Sequence, residues 1–119
     1  MADLSHVTGK TAASRNRAIG AMIKEDFQDL NLTHTPQYSP FVGYGVAKKG
    51  VGTQIGPKSF ESRAQLRNTI VHEELHHRWF SRGIKGGEHH PRDGSGLSDK
   101  FYGTVARYMN MRGWPNVGD

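Results

Sequence analysis

The sequence predicts an α+β domain, and three observations carry that reading. Residues 11–30 and 61–80 repeat their apolar side chains with the period of a helix. Between them, apolar residues alternate around Lys48-Lys49-Gly50, as in a hairpin. The chain has 119 residues and no cysteine, so it is one domain in size with no disulfide to staple a small core.

Each element has its own signal. Residues 1–10 form a polar lead-in without the apolar stretch of a secretory signal. No run approaches the ~20 apolar residues of a membrane span, so a soluble domain is expected. In the helix over 11–30, Ile19, Met22, Ile23, Phe27 and Leu30 share one stripe. Asn31 to Pro40 reads as a connector, because Thr35-Pro36 and Ser39-Pro40 exclude helix. The hairpin spans 41–56, with Val42, Tyr44 and Val46 on one strand and Val51 to Ile55 on the other. Its glycines predict a bulge or a place at a sheet edge. The next helix, 61–80, starts at about Glu61 or Ser62 and stops before Gly83. Residues 81–97 form a loop longer than a compact domain usually tolerates without a function for it. The last helix, 98–112, takes Ser98 as N-cap and Gly113 as stop, and carries Phe101, Val105, Tyr108 and Met109.

The chemistry is concentrated in the second helix, at His72-Glu73-Glu74-Leu75-His76. Histidines four residues apart stand one turn apart on the same face, so both imidazoles can reach one ion. The glutamate beside the first can hold the attacking water and take its proton. Placement strengthens the signal. On a helical wheel Arg63, Arg67, Glu74 and Arg78 fill one polar wedge, and His72 and His76 point away from it, toward the interior. Buried polar groups need hydrogen bonds or a metal. Two satisfied core histidines would be the plainer reading, but Glu73 in register and further histidines downstream favour a metal, with zinc as the expected single ion. A catalytic zinc takes a third protein ligand and leaves one position open. The candidates are His90, then His89, then Glu88, in the loop stiffened by Pro91. His77 points to the flank of the helix and is expected to be structural.

The segment from Thr53 to Gly83, followed by Glu88-His89-His90 and by Leu97 to Met109, resembles the minimal zincin core of SprT-like and minigluzincin metallopeptidases. The resemblance implies an edge hairpin, an H-E-x-x-H helix, a loop bringing the third ligand, and a last helix entered by Ser98-x-x-Phe101. It departs from those families at Leu97, where they commonly place the third histidine. The metzincin continuation is missing, since Trp79 and Arg82 stand where its Gly and His belong. Residues 70–114 also resemble C-terminal toxin modules of bacterial polymorphic toxins, such as those of rearrangement-hotspot repeat proteins. That likeness implies secretion within a larger protein, delivery into the cytoplasm of a target cell, and a cognate immunity protein with an acidic surface.

Three functions compete. First comes a zinc metallopeptidase of a protein substrate, with His72, His76 and His90 (or His89) on the metal and Glu73 as base. Its substrate would add as a strand to Val42–Val46 or Val51–Ile55. Second comes a metal-dependent nuclease. The 16 Lys and Arg against 11 Asp and Glu suit nucleic acid, and Leu75-His76-His77 resembles the LHH toxins. That class, however, places its histidine at a strand end rather than within a helix. Third comes a metal-stapled domain without catalysis that binds an acidic partner.

Overall fold

The computed structural model describes residues 11–83 and 97–117. In chain order it comprises α1 (Ala12–Asp26), β1 (Gln37–Tyr38), β2 (Gly45–Lys48), β3 (Gly52–Ile55), a 3-10 turn (Pro57–Phe60), α2 (Arg63–Ser81) and α3 (Leu97–Met111). The three strands form one mixed sheet in the order β1-β3-β2. β2 and β3 are the antiparallel hairpin, with Gly45 opposite Ile55 and Lys48 opposite Gly52. β1 runs parallel to β3. The fold is α+β, as the periodicities indicate.

α1 is shorter than its apolar stripe. Thr11 caps its start by accepting from the Ser14 amide, and the helix ends at Asp26 rather than at residue 30. The chain turns there because the end of the helix is satisfied from elsewhere. Arg112 donates to the Asp26 carbonyl, and Phe27 buries its ring edge-on against Trp114, with centroids 5.3 Å apart. Leu30 and Leu32 then pack back on the core from a non-helical segment.

The connector 31–40 contains β1, which its sequence conceals. Two residues are too few for an alternation to register, and the strand exists because the Ser39 amide donates to the Ile55 carbonyl. With β1 on one side and β2 on the other, β3 is the central strand. Gln54 and Ile55 are therefore paired on both sides and offer no edge to a substrate, contrary to part of the sequence expectation. β2 also begins only at Gly45. Val42 and Gly43 lie in a bend, pressed so closely on Gly56 that a Cβ there would overlap their carbonyl oxygens. The Gly56 amide and the Ser59 hydroxyl both donate to the Tyr44 carbonyl, so the chain is bonded to the 3-10 turn before the strand starts.

α2 starts where its cap predicts: the Ser62 hydroxyl accepts from the Gln65 amide. Gly83, at φ +66°, accommodates the left-handed residue after its last turn. The polar wedge of α2 is not a solvated face, however. Arg63 and Arg67 reach Asp26 at 3.0 and 2.9 Å, and Glu74 accepts from the Thr33 amide and hydroxyl, both at 2.8 Å. The wedge is an ion-pair seam that ties α2 to the end of α1 and the connector. Both carboxylates accept from several donors, so their burial is compensated. α3 begins at Leu97, which puts Ser98 inside its first turn rather than at the N-cap. Its C-terminus closes as a Schellman turn: Gly113 has φ +73°, its amide donates to the Asn110 carbonyl, and the Trp114 amide donates to the Met109 carbonyl.

The core lies between these layers. Ile19 and Met22 of α1, Ile55 of β3, Phe60, Leu66 and Ile70 of α2, and Phe101, Val105 and Met109 of α3 are all buried. α2 is the central element, with the sheet on one side and α3 on the other.

Candidate metal centre

α2 carries His72, Glu73 and His76 to one place. One ligand atom from each lies within 4.8 Å of the others, the only such group of three among the described residues. Glu73 and His76 are buried, each 5% exposed, and His72 is half-buried. The two imidazoles stand edge to face with centroids 5.0 Å apart, as expected for positions i and i+4 on one helix.

α3 supplies the floor. The Phe101 ring, fully buried, lies 4.8 Å from the His72 ring and 4.3 Å from that of His76, and Trp79 packs edge-on against it at 5.1 Å. Tyr102 flanks His72 at 5.7 Å. The sequence places Phe101 on the apolar stripe of the last helix but does not say that it supports the histidines. Only the crossing of two helices brings it there.

The sheet supplies the opposite wall. A Cβ built on Gly45 would stand 3.2 Å from Glu73 Oε2, 2.8 Å from Thr69 Cγ2 and 3.0 Å from the Gln54 carbonyl oxygen. The backbone of β2 thus lies directly against the Glu73 carboxylate. Burial there raises the Glu73 pKa from 4.5 to about 8, because the ionised form is desolvated. A carboxyl group held near neutrality is poised to exchange protons. The sequence shows Gly45 only as one glycine of a glycine-rich hairpin, so its contact with Glu73 was not legible. Gly45→Ala is expected to destabilise the domain by about 1–3 kcal/mol through overpacking. Gly43→Ala, which meets open space, should stay within about 0.5 kcal/mol of wild type. Urea midpoints of the two variants check this.

Glu74 and His77, the neighbours in the motif, are engaged elsewhere. Besides Thr33, Glu74 accepts from Arg78 Nε at 2.9 Å. His77 Nε2 lies 2.7 Å from Thr53 Oγ1, and its ring packs on His34 at 4.8 Å. Burial and the neighbouring His34 hold the His77 pKa below the ordinary imidazole value, partly opposed by Glu74. His77 anchors α2 to the central strand. The three candidates for a further ligand, Glu88, His89 and His90, lie outside the described residues.

The group fits a divalent ion: two imidazoles to ligate it and a carboxylate beside them, close together, largely desolvated and backed by aromatic rings. Together with the strand lying against the glutamate, this is the arrangement of a metallopeptidase-like domain. The family model of metallopeptidase toxin 5 matches residues 3–114, and the chain belongs to that family. Comparison with curated proteins and with solved structures gave no match. A metallopeptidase family implies a metal, and His72, Glu73 and His76 could hold one. None of the helices is long and apolar enough to cross a membrane, among the described residues.

Proposed function

We propose that this chain is a zinc-dependent peptidase toxin of zincin type that hydrolyses a protein of the cell it enters. The observation that carries the reading is the position of β2. Among the described residues, no strand pairs with its outer edge. The Tyr44 carbonyl bonds Gly56, and the Ile55 carbonyl bonds Ser39 on the other side of β3. Gly45 and Ala47 therefore form non-hydrogen-bonded pairs with Ile55 and Thr53, and their own amide and carbonyl groups point to the open edge. An extended peptide added there lies beside the Glu73 carboxylate.

In this reading His72 and His76 hold the metal through ring nitrogens, with a third ligand from His90, His89 or Glu88. A zinc ion bound there would supply Lewis acidity toward the scissile carbonyl and the attacking water. Glu73 accepts the proton of that water as its oxygen bonds to the carbonyl carbon. It then returns the proton to the amide nitrogen as the C–N bond breaks, leaving a carboxylic acid and an amine, and the acid's proton passes to the amine to give carboxylate and ammonium. The buried site around Glu73 limits competing solvent. Toxin-family membership supports delivery as part of a longer secreted protein, and the +5 net charge suits an immunity protein with an acidic face.

A nuclease would use the same charge, so the test sets the two substrates side by side. Zinc-loaded protein is incubated with unfolded casein, plasmid DNA and total RNA at equal enzyme concentration. Cleavage of casein that stops with chelation and in His76→Ala, with both nucleic acids intact, is the expected result. Metal-dependent loss of nucleic acid, abolished by His76→Ala, overturns the proposal in favour of the nuclease.

A further inference from the structure

The bend that leads into β2 exposes two aromatic rings that the core does not use. Phe41 is 94% exposed and Tyr44 47% exposed. Lys58, from the 3-10 turn, places its ammonium 5.6 Å from the centre of the Tyr44 ring. None of the ion pairs among the described residues involves Lys58. Phe41 and Tyr44 in the bend, with Lys58 against the Tyr44 ring, offer exposed apolar surface and a positive charge where the open edge begins.

Their position relative to the metal group follows from the register. Glu73 lies against Gly45, and His77, one turn on, bonds Thr53, which pairs with Ala47. α2 and β2 therefore run in the same direction, and the His72/His76 turn lies alongside Gly45 to Ala47. Antiparallel addition gives the straighter hydrogen bonds. A substrate strand added in that sense passes Ala47, then Gly45, and leaves β2 toward the bend that carries Tyr44 and Phe41. Residues C-terminal to the scissile bond reach the aromatic pair.

Resting on the peptidase reading above, we propose that Phe41, Tyr44 and Lys58 select the substrate: they bind an aromatic or large aliphatic residue, with an acidic neighbour, downstream of the cleaved bond. The rings remove an apolar side chain from water, and the ammonium meets the carboxylate beside it. The strand edge itself bonds only backbone and does not discriminate, so the discrimination falls to side chains at its end.

The test digests a randomised peptide mixture with the zinc-loaded full chain and sequences the pool of new N-termini. Wild type is expected to enrich aromatic or large aliphatic residues, next to Asp or Glu, by about fivefold or more within the first few downstream positions. The double variant F41A/Y44A should flatten the apolar preference while still cleaving other peptides, and K58E should exchange the acidic preference for a basic one. All three side chains lie outside the core, so the variants should keep the wild-type melting temperature, measured in parallel. Cleavage whose preferences neither variant alters overturns this proposal and leaves the peptidase reading standing. No cleavage of any peptide by wild type overturns both.

Discussion

Glu73→Gln is expected to lower peptide hydrolysis by about 10²–10⁴-fold while metal content stays at the wild-type level. The substitution keeps size and shape, and the imidazoles of His72 and His76 remain. What it removes is a group able to take a proton from water and return it to the leaving amine. A stability measurement separates this from misfolding. The Glu73 pKa is raised from 4.5 to about 8 by burial. Such a group contributes stability below the unfolded value, and that contribution is lost as pH rises through the folded one. In metal-free wild type, stability attributable to Glu73 therefore falls between about pH 4.5 and pH 8. Glutamine has no such dependence, so metal-free Glu73→Gln should melt at or above the wild-type temperature at pH 8. Metal analysis, peptide turnover and melting at pH 5 and pH 8 decide the matter. A fully active variant would exclude Glu73 as the base.

The residues that act through local spacing were legible in the sequence, and those that act through tertiary contact were not. His72, Glu73 and His76 are separated by fixed helical steps, so a helix at 61–80 suffices to gather them. Ser62, Gly83 and Gly113 likewise announce helix ends through capping chemistry that is local to each. The polar wedge is legible in the sequence, but what it packs against is not. Nothing in Arg63 and Arg67 reveals that Asp26, far away in sequence, turns toward them at the end of α1. β1 was invisible because a two-residue strand has no period and depends on its partner. The same limit hid Gly45 and Phe101, whose importance lies in facing Glu73 and the two imidazoles across the fold. Val42 and Tyr44 read as strand from the sequence, since alternation counts apolar residues without knowing that Ser59 and Gly56 draw the chain aside.

Removal of the metal should lower the melting temperature by about 10 °C or more. An ion bound only by the native state stabilises by mass action, about 2.7 kcal/mol at a free concentration a hundredfold above Kd. In a domain near 100 residues, each kcal/mol corresponds to roughly 4 °C or more. The core here is small and without disulfides, so a bound ion would be a large share of what holds it. The effect also has a local origin. His76 and Glu73 are buried at the crossing of α2 with α3 and the sheet, where Phe101 and Gly45 close on them. With a cation in the group, desolvation of the carboxylate is offset by attraction; without one, burial opposes its ionised form. His72→Ala and His76→Ala should match the chelated protein in melting temperature and lose any further response to chelator. Of the three candidates for the remaining ligand, His90→Ala should reproduce this loss most fully. Scanning calorimetry of zinc-loaded protein before and after chelation reads the result. An unchanged transition, on protein shown beforehand to carry stoichiometric metal, would place the ion outside the folding energetics of the domain.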